Sequence, residues 1–174
     1  MTPFEITKAM ESMTVLVDTR EQPTPKFKRR VATLGYEWRR EKLDSGDYGC
    51  EYTDENGEII RLDSVFAIER KMDIDELALC FGRERARFMR EFERAKDQGT
   101  TIHLLIENGS LDDIKAGKYR SKMKPQSLWA SLLTLEARYG VHTHFAESKN
   151  AGWLIGQILH YELREYLERT ADND

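Results

Sequence analysis

Several things are scarce in this sequence, and each scarcity excludes a class of protein. Its 174 residues include only 2 cysteines and 4 prolines. Cys50 and Cys80 have no metal-ligand spacing and are too few for a disulfide framework, so a reducing, cytoplasmic setting is expected. No apolar run nears the length of about 20 residues that a membrane helix needs, so no membrane partner is expected. The start, MTPFEITKAMESM, has acidic residues and no basic stretch followed by an apolar core. It is not read as a secretory signal, and secretion is not expected. There is no internal repeat and no low-complexity segment. Neither G-x-G-x-x-G nor G-x-x-x-x-G-K-[ST] occurs, so no nucleotide cofactor is expected. A nucleophilic serine or cysteine in a G-x-S-x-G setting is also missing, which leaves little support for a small-molecule α/β enzyme.

What is present suits one soluble globular domain, with 40% hydrophobic and 33% charged residues. The formal net charge of −4 offers no global attraction to nucleic acid, but the cations are clustered. Lys26, Lys28, Arg29 and Arg30 form one group, and Arg39, Arg40 and Lys42 another. Lys115, Lys118, Arg120, Lys122 and Lys124 form a third with no acid among them. Such runs ordinarily belong to a solvated surface of mixed sign. Beside an acidic pocket they suit a phosphate-backbone ligand with a metal between.

Periodicity supplies the elements. Residues 14–17 (TVLV) predict a buried strand with a polar exit at Asp18. Pro23 and Pro25 make a loop, followed by a helix over 27–34 and an outer strand over 36–43. Segments 48–52 and 58–62 flank Asp54-Glu55-Asn56-Gly57, a hairpin signal because Asn-Gly accepts positive φ. Residues 65–71 are the next strand. Asp73, with Glu76 three residues on, caps a helix whose Leu77, Phe81, Phe88, Phe92 and Ala95 lie near one face until Gly99 closes it. Residues 102–106 (IHLLI) form a buried strand ending at Glu107, and Pro125 opens a helix with Leu128, Trp129, Leu132, Leu133 and Leu135 inward. A last strand covers 141–145 and a last helix roughly 151–168. The alternation predicts an α/β domain: a mixed central β-sheet flanked by α-helices. Residues 1–13 are expected as an N-terminal extension, 14–170 as the single domain and 171–174 as a tail. The last helix is apolar on more than one face, from which a homodimer through the C-terminal helices is expected.

One stretch conflicts with its surroundings. The apolar run Val65 to Ile68 delivers Glu69, Arg70 and Lys71 in succession, then Asp73 and Asp75. Alternate strand residues share a face, so Glu69 and Lys71 point together while Arg70 points through the other side. A carboxylate beside an ammonium is what a metal-dependent phosphodiesterase needs: one holds a hard cation, the other orients or deprotonates water and offsets phosphate charge. Further acids stand at element ends. Asp47 follows Ser45-Gly46, Asp75 falls in the first helical turn, and Asp18 closes the first strand ahead of Arg20 and Glu21. Each has an ordinary reading alone: an exposed ion pair, a turn aspartate, a complement to the helix dipole, a polar strand exit. His142 and His144 share a face of one strand and read as an ordinary edge-strand pair, and His103 and His160 also lie off the acidic motifs.

The ordered set VLVDTRE, GDY and ERKMDID resembles the motifs of the XPF family of structure-specific endonucleases, and the likeness continues through RFMREFERAKD and LLIE. It falls on Asp18, Arg20 and Glu21, on Gly46-Asp47, on Glu69-Arg70-Lys71 and on Asp75, with Arg87 and Glu107 at equivalent places. The resemblance implies a restriction-endonuclease-like PD-(D/E)xK fold and a Mg²⁺- or Mn²⁺-dependent endonuclease acting on DNA. It implies Asp47, Glu69 and Asp75 as metal-associated acids, Lys71 as the residue positioning the attacking water, and Asp18 and Glu21 as supporting catalytic acids. Arg20 and Arg70 would hold the acidic cluster or touch the DNA backbone, with Arg83, Arg87, Arg94, Lys118, Arg120 and Lys122 as further DNA contacts. The sequence runs out in RTADND without the tandem helix-hairpin-helix segment that family members usually attach, so fork or flap preference is not carried over. A role in DNA repair, recombination or phage and bacterial DNA processing is the family-level expectation. The competing reading is a catalytically silent subunit that pairs with or recruits an active nuclease. Such partners lose motif acids, and this chain keeps them.

Overall fold

The β-branched run at Thr14 becomes β1 (Thr14–Asp18), buried from Val15 onward. In this computed structural model, which describes residues 1–172, β1 belongs to a single seven-stranded mixed sheet. The other strands are β2 (Glu37–Glu41), β3 (Tyr48–Thr53), β4 (Ile59–Arg61), β5 (Phe66–Lys71), β6 (Thr101–Glu107) and β7 (His142–Ala146). Their order is β2-β1-β3-β5-β6-β7, with β4 paired to β3. β3 runs antiparallel to both its central neighbours, while β1–β2, β5–β6 and β6–β7 are parallel. The expected hairpin forms, Asp54 Oδ1 accepting hydrogen bonds from the amides of Asn56 and Glu58.

Helices cover both faces. α1 (Pro3–Glu11), α2 (Pro25–Val31) and α7 (Ser148–Asp172) pack on one side. α3 (Ile74–Phe81), α4 (Arg85–Asp97), α5 (Leu111–Ala116) and α6 (Pro125–Tyr139) pack on the other. The two-residue period of β5 divides its side chains between two cores. Phe66 and Ile68 enter the α7 side and Ala67 the α4 side. Glu69 and Lys71 continue the Ala67 face, as the alternation predicts, and Arg70 continues the other.

The helix expected to run from Asp73 to Gly99 is two helices. α3 stops at Gly82, whose amide caps back to the carbonyls of Ala78 and Leu79, and α4 starts again at Arg85. In an unbroken helix Phe81 and Phe88 would stand about 10 Å apart along the axis. The break instead brings their rings edge to face at 5.6 Å. Asp73 caps α3 through the Glu76 amide, but Glu76 Oε2 accepts from Met72 N, one residue earlier than the predicted box.

Residues 3–11, within the expected extension, form α1 with a Thr2/Glu5 capping box and bury Ala9 among the core residues of α7. α7 is longer than expected at both ends and takes in residues 171 and 172 of the expected tail; 173 and 174 lie outside the described residues. Its Ala151, Ile155, Leu159, Leu163 and Leu167 are fully buried, while Trp153 and Tyr161 are each 57% exposed. Gly152 lets α7 sit against α2: a Cβ there would stand 2.0 Å from the Arg30 carbonyl oxygen. Among the described residues no helix is long and apolar enough to cross a membrane.

Candidate active site

The conflicting charges of β5 open onto a cavity of about 280 Å³ between the sheet end and α4. Asp47, Glu69 and Lys71 line it together with Arg20, Asp44, Cys80, Glu84, Arg87, Glu91 and Arg94. Gly46 makes this possible. It takes φ +69°, and a Cβ on it would lie 2.7 Å from the Ile68 carbonyl oxygen, so only glycine lets the 44–47 turn press onto β5. The next amide, Asp47 N, donates to that same Ile68 oxygen at 2.8 Å, and Asp47 Oδ2 accepts from Arg70 N at 2.8 Å. The Asp47 carboxylate is thereby fixed beside the strand that carries Glu69.

Burial first, and then the nearby Glu69 carboxylate, push the Asp47 carboxyl well above its usual range. Lys71 Nζ donates to Glu69 Oε1 at 2.6 Å and lies 5.0 Å from the Phe88 ring centroid. Its burial works against the charged form, yet Glu69 outweighs this and its pKa is raised. Glu69 therefore favours the charged form of Lys71. Its ammonium is a donor for water or a phosphate oxygen.

On the opposite face the same strand end carries a charge network that borders a second cavity of about 570 Å³, lined in part by Glu21, Arg30, Arg70 and Glu107. Arg30, 5% exposed, donates from Nε to Glu107 Oε1 at 2.8 Å and from Nη1 to Glu21 Oε2 at 2.8 Å and the Tyr48 hydroxyl at 2.7 Å. Arg70 Nη2 donates to Glu21 Oε1 at 3.2 Å, and Ser148 Oγ donates to Glu107 Oε2 at 3.0 Å. Glu21 thus supports from behind the sheet and does not enter the cavity. Asp18 also stays out of it: fully buried, it accepts from Arg20 N, Arg20 Nε and Leu43 N. Burial pushes its carboxyl up, but these donors outweigh that and its pKa is lowered. Asp18 aims Arg20, which reaches the cavity and donates to the Gly46 carbonyl at 3.4 Å.

Asp75 is not brought to the cavity. Its Oδ1 accepts from the amides of Arg120 and Ser121, both at 2.8 Å, and Oδ2 from Arg120 Nε at 3.0 Å. The first turn of α3 directs it towards the loop before α6, away from Asp47 and Glu69. Arg87 lines the cavity and pairs with Glu84, and Arg83 is exposed at the α3–α4 turn. Lys118 and Lys122 lie exposed on the loop beside Arg120.

Arg94, read from the sequence as a candidate DNA contact, lines the cavity, whereas Glu84 and Glu91 were not singled out. They flank the apolar positions Phe88, Phe92 and Ala95 of α4 and border the cavity, so the polar edge of that helical stripe was their signal. Arg30 looked like one cation of a surface cluster. Its spacing with Phe27 and Val31 is the helical interval that marks it as inward.

Among the described residues no group of three or more His, Cys, Asp or Glu side chains is arranged to hold a metal ion. Mg²⁺ does not require such a cage, since it binds through one or two carboxylates together with waters and substrate phosphate. Asp47 and Glu69 fit that mode: two acids at one cavity, Asp47 made hard to ionise by burial and then by Glu69, with one Asp47 oxygen taken by a backbone donor. His103, His142 and His144 make a separate cluster, His103 bridging His144 and Glu162 at 2.9 Å each, while His160 stacks on Tyr36.

A mixed sheet between helix layers, with an acid–acid–lysine set at the end of its central strands, has the layout of a nuclease domain of the XPF type. The sequence profile of the ERCC4 domain matches residues 17–153, and the chain belongs to that family. XPF from Aeropyrum pernix has a similar fold, with a TM-score of 0.62 at 19% identity over 86% of this chain and 61% of that one. The same archaeal protein in complex with DNA gives a TM-score of 0.58 at 20% identity, over 90% of this chain and 66% of that one. The chain thus spans less than two thirds of either. A search of the curated proteins finds no match.

Proposed function

We propose that the chain is a divalent-metal-dependent DNA endonuclease whose centre is Asp47, Glu69 and Lys71. The observation that carries this reading is the convergence of two mutually repelling carboxylates and a charged lysine in one cavity, within a chain of the ERCC4 domain family. Asp47 and Glu69 would hold Mg²⁺ or Mn²⁺, which supplies Lewis acidity to activate water and offset phosphoryl charge. Asp47 is kept in place by Arg70 N and by the Gly46 turn, so the acid pair is set before DNA arrives. Lys71 donates to the attacking water or to a non-bridging phosphate oxygen. Arg20 and Arg87, at the cavity rim, receive the flanking phosphates. Water attacks phosphorus as it gives up a proton to solvent, the ester bond opposite it breaks, and the leaving oxygen takes a proton from solvent.

The DNA-bound Aeropyrum pernix structure supports DNA as the substrate class. α7 also presents Trp153 and Tyr161 beside partly buried Leu154 and Ile158, which supports a homodimer through that helix. The test is incubation of purified protein, with and without Mg²⁺ or Mn²⁺, on duplex, flap, fork and single-stranded DNA. The expected result is metal-dependent cleavage that Asp47→Asn and Glu69→Gln each abolish while DNA binding persists. Binding without cleavage on every substrate would instead assign a silent partner subunit, a reading that the Glu69–Lys71 ion pair keeps open.

A further inference from the structure

Residues 117–124, between α5 and α6, carry cations at every second position: Lys118, Arg120, Lys122 and Lys124, all exposed. The intervening residues face inward. Tyr119 and Met123 pack against the core beneath α3 and α4, and the Tyr119 hydroxyl donates to the Met123 carbonyl at 2.8 Å. Ser121 Oγ accepts from Met123 N at 3.2 Å. A loop with four outward cations would spread by self-repulsion unless its backbone were tied down.

At its start the loop is tied to α5, Lys118 N donating to the Asp113 carbonyl at 2.8 Å; its middle is tied to α3 by Asp75, through the two amides and the guanidinium described above. Asp75 is 4 residues beyond Lys71, on the helix that springs directly from β5. The loop's position is therefore set relative to the strand carrying Glu69 and Lys71. Met123 Cε also lies 3.6 Å from where a Cβ on Gly82 would stand, which brings the loop beside Arg83 at the α3–α4 turn.

We infer that Asp75 is a positioning residue for DNA and not a metal ligand: it clamps the 117–124 loop as a rigid grip for the phosphate backbone flanking the cleavage site. This rests on the nuclease reading above. Regularly spaced cations on a fixed backbone suit a polyanion, and holding them in advance removes the ordering cost on binding.

The test compares wild type with Asp75→Ala and Asp75→Asn. Asparagine keeps an acceptor for the two amides but loses the charged pairing with Arg120, so its effects should lie between the others. Trypsin should cut the 117–124 segment of Asp75→Ala about tenfold faster than that of wild type, with the fold retained. The Kd for duplex DNA should rise about tenfold, and the salt slope should flatten by about 0.9 for each phosphate that is no longer neutralised. KM should rise while kcat at saturating DNA and the Mg²⁺ midpoint stay as in wild type, a split that general unfolding would not give. Should Asp75→Ala fail to fold, amide exchange of the wild type still decides: Arg120 and Ser121 must be protected, and exchange at unprotected rates overturns the clamp. A shifted Mg²⁺ midpoint with an unmoved loop overturns the inference in favour of a metal ligand. A freed loop with DNA affinity kept overturns the grip alone. Absence of DNA binding by wild type overturns the grip and the nuclease reading together.

Discussion

The two faces of the sheet at the end of β5 receive charges from the same strand, and they treat them in opposite ways. Behind the sheet, Arg70 enters a network in which Arg30 donates to Glu107, Glu21 and Tyr48. In front, Asp47, Glu69 and Lys71 line one cavity, with Lys71 paired to Glu69. Behind the sheet two arginines are paired with two glutamates, with Arg70 Nε and Nη1 left without a hydrogen-bond acceptor, while in front Lys71 pairs with Glu69 and the Asp47 carboxylate is held by the Arg70 amide. Paired buried charge fixes geometry, whereas a buried acid with a raised pKa is available for chemistry.

Breaking the network behind the sheet should have the largest effect. Arg30→Ala leaves Arg70 as the one arginine paired with Glu21 and Glu107 and should destabilise the fold by about 1.5–3 kcal/mol, through the lost charge-assisted hydrogen bonds. Chemical denaturation at neutral pH measures this. A loss below about 1 kcal/mol would mean that the network does not support the strand end.

The front face should respond with the reverse sign. In metal-free buffer, Asp47→Asn keeps an acceptor for Arg70 N and removes the repulsion with Glu69, so stability should rise by about 1 kcal/mol as activity disappears. Thermal melts with a chelator report the gain. A lower melting temperature in the variant would contradict the account of strained acids.

The pH dependence sharpens the same contrast. The raised Asp47 pKa means that its favourable contribution is complete below the ordinary aspartate range and is lost as pH rises through the elevated folded value. Metal-free stability should therefore carry a component that falls with rising pH in that window, and Asp47→Asn should abolish it. Asp18 has the opposite sign. Its lowered carboxyl stabilises above the ordinary range and loses that contribution as pH falls through its depressed value.

The smallest change is expected at the boundary. Arg20 is exposed and lines the cavity, while Asp18 keeps Leu43 N and Arg20 N as donors without the guanidinium. Arg20→Ala should cost only about 1 kcal/mol of stability, read in the same denaturation assay, while weakening DNA binding.

Much of this contrast is legible in the residues themselves. The alternation from Phe66 to Lys71 states which side chains share a face, and Ser45-Gly46-Asp47 marks a turn able to press a carboxylate onto a neighbour. What alternation leaves open is which neighbour each charge meets. Asp75 stands at the first turn of α3 in both accounts. Only the path of the 117–124 loop shows that its partners are Arg120 and Ser121 and not Asp47 or Glu69. Arg30 and Glu107 are 77 residues apart, and no local pattern announces that they meet. Gly82 alone does not reveal the break between α3 and α4, because it depends on how Phe81 and Phe88 pack.

The central claim is that Asp47 and Glu69 form an acid pair completed by a divalent cation. Calorimetric titration of Mn²⁺ into wild type and Asp47→Asn, with cleavage followed on the same samples, tests it most directly. Saturable binding is expected in wild type, with loss of both binding and cleavage in Asp47→Asn and weaker binding as pH falls through the elevated Asp47 value. Equal Mn²⁺ affinity in the two proteins, or undiminished cleavage by Asp47→Asn, would contradict the claim.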